Sequence, residues 1–205
     1  HLGRGSFNTN RATIQLGSGL LNDHFWVSGR LSKTNSYGWV DRASSDLSSY
    51  FITAGYKNEK TKIKAVVFGG GQTTYQAWYG VDSATLATNP TFNYAGAIYD
   101  EDGNIVDFYD NETDNYKQDH YQLFFNQELT SRLKLSAGLF YIKGKGYYEQ
   151  YKADEAYADY GLKEPIYGTD TITNTDLVRQ LWLDNDFYGS IFSLQYKTDK
   201  SQLTF

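Results

Sequence analysis

Hydrophobic and polar residues alternate along residues 116–150, and the alternation breaks once in the middle. The apolar positions of the two arms are Tyr121, Leu123, Phe125 and Leu129, then Leu133, Leu135, Ala137, Leu139 and Tyr141. Polar residues such as Gln122 and Ser136 stand between them. A period of two places successive side chains on opposite faces of a sheet. The stretch therefore predicts an antiparallel hairpin that turns at Thr130 and Ser131.

The same alternation recurs along the rest of the chain and predicts about eight strands. They cover residues 11–18, 24–33, 47–56, 61–74, 118–129, 132–150, 185–196 and 201–205. Residues 1–10 are polar, and we expect them to form a lead-in rather than a strand. The longest arms exceed the five or six residues usual in soluble sheets, and they match the ~9–11 residues of a tilted strand that crosses a bilayer.

Connections of two lengths join the predicted strands. Residues 57–60 are a charged tight turn, whereas residues 75–117 and 151–181 are long loops that we expect to point outward. The first loop contains Asp102-Gly103, a dipeptide that favours a type I′ hairpin turn. Minimal turns on one side and long loops on the other are typical of up-and-down barrels of outer membranes. We therefore predict an all-β fold, an antiparallel up-and-down transmembrane β-barrel.

The predicted barrel is incomplete. Residues 201–205 are too short to cross a bilayer, and an open sheet edge would leave backbone groups unpaired in hydrocarbon. The chain also begins at His1 without a start methionine, which suggests a mature or excised segment. We therefore expect a segment of about eight strands from a larger barrel.

Composition narrows the possible functions. The chain of 205 residues has 19 tyrosines, 19 glycines and 2 prolines, which favours continuous sheet. Cysteine is absent, and this excludes disulfides and cysteine metal sites. A net charge of −5 argues against nucleic-acid binding, for which a basic face is usual. No apolar run approaches the ~18 residues of a transmembrane helix, but barrel strands face lipid only at every second residue.

Five phrases of the sequence resemble TonB-dependent outer-membrane receptors. They are residues 22–51, 74–81, 109–129, 144–152 and 177–189, the last being LVRQLWLDNDFYG. The resemblance covers nearly the whole chain, and it implies that residues 1–205 are part of one receptor barrel domain in the bacterial outer membrane. It further implies a parent barrel of 22 strands around an N-terminal plug that couples to the periplasmic TonB protein. These residues contain neither a plug nor a TonB-binding segment.

The resemblance also implies a function, the energised import of a large and scarce nutrient. The expected ligand is a ferric siderophore, haem or cobalamin, and a glycan is the alternative of the same class. The expected partners are outer-membrane lipid, the TonB protein and the ligand, with no nucleic acid and no cofactor. The alternative from another class is a soluble, aromatic-rich carbohydrate-binding β-sandwich, which would stay monodisperse without detergent.

Aromatic residues in or beside the two long loops are the predicted substrate-binding residues. They are Tyr75, Trp78, Tyr79, Tyr94, Tyr99, Tyr109, Tyr147 and Tyr148, together with Arg179 as a cation for an anionic ligand. Aromatic rings offer a large contact area at low conformational cost, and loops on a rigid scaffold usually carry recognition. The alternative is that these rings line the membrane boundary or pack the loops against the barrel.

Acidic residues could bind calcium or act in catalysis, and their spacing favours neither role. Asp100, Glu101, Asp102 and Asn104 offer oxygen ligands that suit calcium, but the later bidentate glutamate of an EF-hand loop is missing. A solvated loop tip is therefore the preferred interpretation, and no metal site is predicted. No nucleophilic serine motif and no carboxylate pair at catalytic spacing occur, so no catalytic residue and no enzyme activity are predicted.

Overall fold

A computed structural model describes residues 1–205 in full, and it is built almost entirely of antiparallel strands. In chain order they are β1 (Leu2–Gly5), β2 (Thr9–Gly17), β3 (Phe25–Ser36), β4 (Ser45–Lys57), β5 (Thr61–Tyr75), β6 (Ala97–Tyr99), β7 (Ile105–Phe108), β8 (Thr113–Thr130), β9 (Leu133–Ala156), β10 (Ile166–Tyr167), β11 (Asp170–Thr171), β12 (Asn174–Lys197) and β13 (Gln202–Thr204). Two short helical segments, α1 (Ser83–Thr88) and a 3₁₀ turn (Tyr157–Tyr160), lie in the connections.

Nine of the strands form one sheet in the order β1-β2-β3-β4-β5-β8-β9-β12-β13, and the other four form two separate small hairpins. Every strand of the sheet pairs with the next one along the chain that belongs to the sheet, so the topology is up-and-down. A sandwich would require a second large sheet packed against one face of this one, and no such sheet is present. β1 and β13 are free edges, and the sheet does not close.

The predicted hairpin is confirmed as β8 and β9. Its register pairs Tyr121 with Tyr141 and Leu123 with Leu139, so the apolar positions of both arms share one face. At the turn, the Thr130 hydroxyl accepts hydrogen bonds from the backbone N–H groups of residues 132 (3.2 Å) and 133 (3.1 Å). This local acceptor satisfies the turn without a longer loop.

The sheet has one strand more than the sequence predicted, because residues 1–10 are not a lead-in. β1 pairs with β2 from Leu2 opposite Ala12 to Gly5 opposite Thr9. All of its side chains are exposed, so backbone hydrogen bonds hold this strand rather than burial. Two glycines among four residues erase the alternation by which the other strands are recognised.

The strands also continue into both predicted loops. Pairing between β9 and β12 takes up much of the predicted loop 151–181 and leaves 157–173 as the connection. The first loop, predicted over 75–117, is the connection 76–112. Backbone pairing does not need the apolar and polar alternation, which is lost in these extensions because neither face of them is uniformly apolar.

The small hairpin predicted inside the first loop is present, but the prediction of its turn type was wrong. β6 and β7 pair across residues 100–104. A type I′ turn needs positive φ at both central residues, and among residues 100–104 only Gly103 has it (φ 81°). Asp100 instead accepts the backbone N–H groups of Asp102 (3.1 Å) and Asn104 (2.8 Å) at Oδ1, and this closes a wider turn.

The two faces of the sheet differ in polarity. The face that carries Leu123 is named the apolar face, and the register assigns to it Leu16, Val27, Ile52, Ile63, Val67, Phe125, Leu139, Phe192 and Leu194. The face that carries Gln122 is named the polar face, and it includes Thr53, Lys62, Lys64, Asn126, Ser136 and Ser193. Leu123 is 44% exposed and Leu139 49%, although both are aliphatic. The apolar face is therefore an uncovered hydrophobic surface.

The connections differ between the two ends of the sheet. The turn end carries residues 18–24, 58–60, 131–132 and 198–201, whereas the loop end carries 6–8, 37–44, 76–112 and 157–173. Both long connections thus lie at the loop end. The helical segments are short, and none of the chain's helices has the length and apolarity needed to cross a membrane.

Candidate functional site

β9 and β12 extend past the end of β8, and this leaves one edge of β9 without a strand partner. Pairing of β8 with β9 stops at Tyr148. Beyond it, two loop side chains replace the strand. The Gln76 amide donates to the Glu149 carbonyl (2.9 Å), and the Glu112 carboxylate accepts from the Tyr151 N–H (3.1 Å). Because buried backbone groups need partners, these contacts fix the first long loop against the sheet.

A second set of contacts joins the first long loop to the connection 37–44 between β3 and β4. The Asn93 side-chain amide donates to the carbonyls of Gln76 (2.8 Å) and Asp41 (3.1 Å). The Arg42 guanidinium donates to the Asn93 carbonyl and lies 3.5 Å from the centre of the Phe108 ring. The central polar side chains of both sets are at most 5% exposed, and we name them the loop anchor: Gln76, Asn93, Glu112 and Glu149.

Glu149 accepts three side-chain hydrogen bonds. Tyr109 Oη (2.6 Å) and Asn111 Nδ2 (2.5 Å) donate to its Oε1, and Gln180 Nε2 (2.5 Å) donates to its Oε2. Burial alone would raise the pKa of Glu149, but these three donors favour the carboxylate and the pKa is lowered. Burial and the bond to Glu149 raise the pKa of Tyr109 to about 12. Glu149 is thus charged and Tyr109 is a donor at neutral pH.

Glu112 is held in a different balance. Its burial raises its pKa, and the backbone N–H groups of Tyr151 and Gly96 counter this only in part. The charge of Lys152 acts in the same direction as these donors. The pKa of Glu112 is therefore raised, whereas that of Glu149 is lowered.

Three of the predicted binding residues lie inside the packing of the first long loop. Tyr75 is 7% exposed, and its hydroxyl donates to the carbonyl of Tyr109 (2.7 Å). Tyr109 itself donates to the loop anchor. The Tyr94 hydroxyl donates to Asp82 (3.2 Å), and its ring meets Phe92 edge-on with centroids 4.7 Å apart. Each of these hydroxyl groups is already engaged within the protein.

Tyr147 and Tyr148 point to opposite faces of β9. The register that places Leu139 on the apolar face also places Tyr147 there, where its ring centroid lies 4.6 Å from that of Trp182. Lys145 is 5.6 Å from the centre of the Trp182 ring. Tyr148 falls on the polar face and is 38% exposed. The structure therefore separates two adjacent tyrosines that the sequence grouped together.

Tyr79, Tyr148 and Arg179 come together at the loop end of the polar face. Gln150 links two of them, since its amide donates to the Tyr79 hydroxyl (2.9 Å) and its Oε1 accepts from Arg179 Nη2 (2.7 Å). Tyr148 precedes Gln150 by two residues on the same face of β9. We name these four residues the aromatic mouth. Trp78, 58% exposed, lies next to Tyr79 with ring centroids 6.4 Å apart.

The remaining predicted residues lie apart from this group. Tyr99 is 50% exposed on β6, within the small hairpin of the first long loop. The acidic tip of the same hairpin contains Asp100, whose carboxylate is bound by backbone N–H groups of its own turn. No group of three or more histidine, cysteine or acidic side chains is arranged to hold a metal ion.

Sequence reasoning missed the loop anchor and Gln150 entirely. Gln76, Asn93 and Glu149 each stand beside a tyrosine and Glu112 stands in an acidic stretch, so no spacing relates the four anchor residues to one another. Their bonds join distant positions, as between Gln76 and Glu149. The only available signal was the loss of alternation after Gly146, where β9 continues without an apolar pattern.

Comparison with known proteins bears on the fold. Neither a family model nor a curated protein matches the sequence. The chain is similar to the closed form of the ferric-catecholate import receptor Fiu from E. coli K12, with a TM-score of 0.63 and 12% identity over 95% of this chain and 28% of the receptor. For the open form the TM-score is 0.61 and the identity 11%, over 95% of this chain and 30% of the receptor.

The chain thus spans less than a third of the receptor chains that it resembles. At this identity the similarity concerns the fold alone. The solved structures are import receptors rather than enzymes. The predicted fold class is confirmed: the chain has the fold of an incomplete antiparallel segment of a larger receptor barrel.

Proposed function

We propose that this chain forms part of the barrel wall of a TonB-dependent outer-membrane receptor that imports a ferric chelate. The uncovered apolar face carries the proposal. Aliphatic side chains such as Leu123, Leu139 and Leu16 are 44%, 49% and 74% exposed on one side of a continuous nine-stranded sheet. Water would penalise such a surface by roughly 25 cal/mol for each Å² left uncovered, whereas lipid would cover it.

Lipid contact on a single face can be tested by cysteine labelling, because residues 1–205 contain no cysteine of their own. A bimane probe on Leu123→Cys or Leu139→Cys should be quenched by spin-labelled lipid after reconstitution of the full-length protein in vesicles. The same probe on Gln122→Cys, one residue away on the polar face, should resist lipid quenching and respond to iodide. Equal quenching at positions 122 and 123 would contradict the membrane assignment.

The ligand is proposed to bind at the aromatic mouth. Tyr79 is 50% exposed and is linked to the Arg179 guanidinium through Gln150. Tyr148 is 38% exposed and lies two residues before Gln150 on the same face of β9. Such a group combines flat rings with a fixed cation, which suits an aromatic, anionic chelate. Similarity in fold to a ferric-catecholate receptor supports this ligand class over cobalamin or a glycan.

Two adjacent tyrosines provide a matched test of the ligand site. In the full-length protein, Tyr148→Ala should weaken binding of a ferric tris-catecholate complex by about tenfold, the effect expected for losing one stacked ring of ~1.4 kcal/mol. Tyr147→Ala, on the opposite face, should leave the affinity unchanged. Titrations with a ferric trihydroxamate, cobalamin and a maltooligosaccharide identify the class of ligand. Tighter binding of a maltooligosaccharide would favour the glycan importer instead.

A further inference from the structure

A cavity adjoins the aromatic mouth on the polar face, on the side nearer the turn end. Its volume is about 520 Å³. The register places all of its lining residues on the polar face except Tyr147 and Trp182, which alternate with them along β9 and β12. We name this cavity the inner slot, and the residues that shape it are Gln72, Asp114, Tyr116, Gly146, Tyr148, Leu181 and Leu183.

The floor of the inner slot is an aromatic ring that lies flat on the sheet. Tyr116 on β8 pairs with Gly146 on β9, and a Cβ atom at Gly146 would lie 2.9 Å from Cδ2 of the Tyr116 ring. A Cβ atom at Gly144 would overlap the Tyr116 hydroxyl oxygen. The ring therefore covers both glycines and turns one face away from the sheet. A flat ring fixed in this way is a stacking surface for another planar group.

The walls of the inner slot differ in chemistry. Leu181 and Leu183 stand on the β12 side and are 37% and 54% exposed. Tyr148 stands on β9, at the end of the slot that it shares with the aromatic mouth. Asp114 stands on the other side of Tyr148, directly opposite it on β8. The slot is therefore apolar along one wall and acidic along the other.

The Asp114 carboxylate has no partner within the chain. It is half-buried, and none of the ion pairs includes it. Neighbouring acidic side chains are engaged, since Glu112 accepts from the Tyr151 N–H and Glu149 accepts from the Tyr109 hydroxyl. A half-buried carboxylate that lacks a donor favours the binding of a cation, because the charge-assisted hydrogen bond offsets its lost hydration.

Asp114 and Arg179 place opposite charges at two ends of the polar face that the mouth and the slot share. Arg179 lies opposite Gln150 on β9, whereas Asp114 lies opposite Tyr148 on the other edge of the same strand. Two strand spacings and the rise of two residues separate them, so their Cα atoms are ~12 Å apart. A cation and an anion at a fixed separation are complementary to a ligand that carries both charges.

We propose that the inner slot binds a cationic group carried by the ferric chelate, so that the ligand is an amine-bearing catecholate rather than a uniformly anionic one. This inference rests on the proposed function, in which the anionic centre of the chelate meets Arg179. One planar arm of the ligand stacks on Tyr116, and an ammonium group beside that arm donates to Asp114. A uniformly anionic chelate would instead bring its negative charge towards Asp114 without compensation.

Two probes that differ in one group test this assignment. They are a ferric tris-catecholate with a primary amine on one catechol arm and the same complex with that amine acetylated, which removes the positive charge. In calorimetry at neutral pH, the full-length protein should bind the amine form about tenfold more tightly, the order expected for one charge-assisted hydrogen bond. Asp114→Asn should abolish this preference and Asp114→Glu should retain it. Asp102→Asn, which removes an exposed carboxylate at the tip of the small hairpin, should leave it unchanged.

Filling the inner slot tests its occupation separately from its charge. Leu183→Trp should weaken the binding of both chelates about tenfold, because the larger side chain displaces the stacked arm. Ile191→Trp is the matched control. It adds the same side chain at an exposed aliphatic position on the same face of β12, nearer the turn end, and should leave both affinities unchanged.

The outcomes separate this inference from the proposed function. Equal affinity of the unsubstituted protein for the two chelates, or a preference that persists in Asp114→Asn, would overturn the inference and leave a receptor for ferric chelates. Equal binding by Leu183→Trp and Ile191→Trp would overturn the inner slot as part of the ligand site. Failure to bind either chelate would refute the proposed function, and the inference with it.

Discussion

Glu149→Gln is the change that best tests how the first long loop is held. Tyr109 and Asn111 donate to one oxygen of the carboxylate and Gln180 to the other. A glutamine side chain has one oxygen and one NH₂ group, so in either orientation at least one donor meets another donor. The residue is 5% exposed, and water cannot readily replace the lost acceptor.

The expected size follows from these bonds. A hydrogen bond to a charged group contributes about 1.5–3 kcal/mol, and the substitution removes at least one such bond. The loop should therefore be destabilised by ~2 kcal/mol relative to the sheet, which is about a 30-fold increase in its opening equilibrium. The sheet itself should remain folded, because its ladder does not involve this side chain.

Hydrogen exchange followed by mass spectrometry measures this opening directly. The backbone N–H groups of Gln76 and Tyr109 donate to the backbone carbonyls of Glu112 (2.8 Å) and Gly96 (2.7 Å), and their exchange reports on the loop. Their exchange should accelerate about 30-fold in Glu149→Gln. Glu128→Gln is the control, because it removes an exposed ion pair with a lysine at the turn end and should leave this loop unchanged. Unaltered protection of the loop in Glu149→Gln would refute the reasoning.

Further predictions concern pH, the two faces and one close contact. Acidification should first tighten and then loosen the first long loop, because Glu112 has a raised pKa and Glu149 a lowered one. As pH falls through the folded pKa of Glu112, this carboxylate becomes neutral and the loop is stabilised, because the cost of its buried charge is removed. Below the ordinary glutamate value of 4.5, the stabilisation by the Glu149 carboxylate is lost as pH falls through its folded pKa. Loop protection factors should therefore peak near pH 4.5, and a steady decline from pH 7 downward would contradict this. Leu123→Arg should lower the free energy of unfolding in lipid by ~2–4 kcal/mol, whereas Gln122→Arg should be tolerated, as a denaturant titration in vesicles would measure. Gly146→Ala should disrupt the pairing of β8 with β9, since a Cβ there would lie 2.1 Å from a backbone oxygen, and a normal melting temperature would count against it.

The long strands were predictable because one face of each carries a repeating apolar position. The alternation around Leu123 and Leu139 predicts the apolar face from sequence alone, and the register confirms that these two residues are neighbours. β1 was not predictable in this way, because it has no buried face and its residues pair through the backbone only. The turn at Gly103 was assigned from a dipeptide preference, but the Asp100 side chain competes for the same backbone donors and selects a wider loop.

The candidate site was predicted only at the level of residue type. Tyr148 and Arg179 lie at the aromatic mouth, but Tyr75 and Tyr109 use their hydroxyl groups inside the loop. Sequence distance gives no indication of such partners, because the loop must fold back before a donor and an acceptor meet.

The sequence by itself determined an antiparallel sheet with one apolar face and long loops, since a period of two acts locally on each strand. The tertiary structure decided which tyrosines face outward and which carboxylates anchor the first long loop. These features depend on register and on the packing of a long connection. Both arise from contacts between residues far apart in the chain, and no local pattern encodes them.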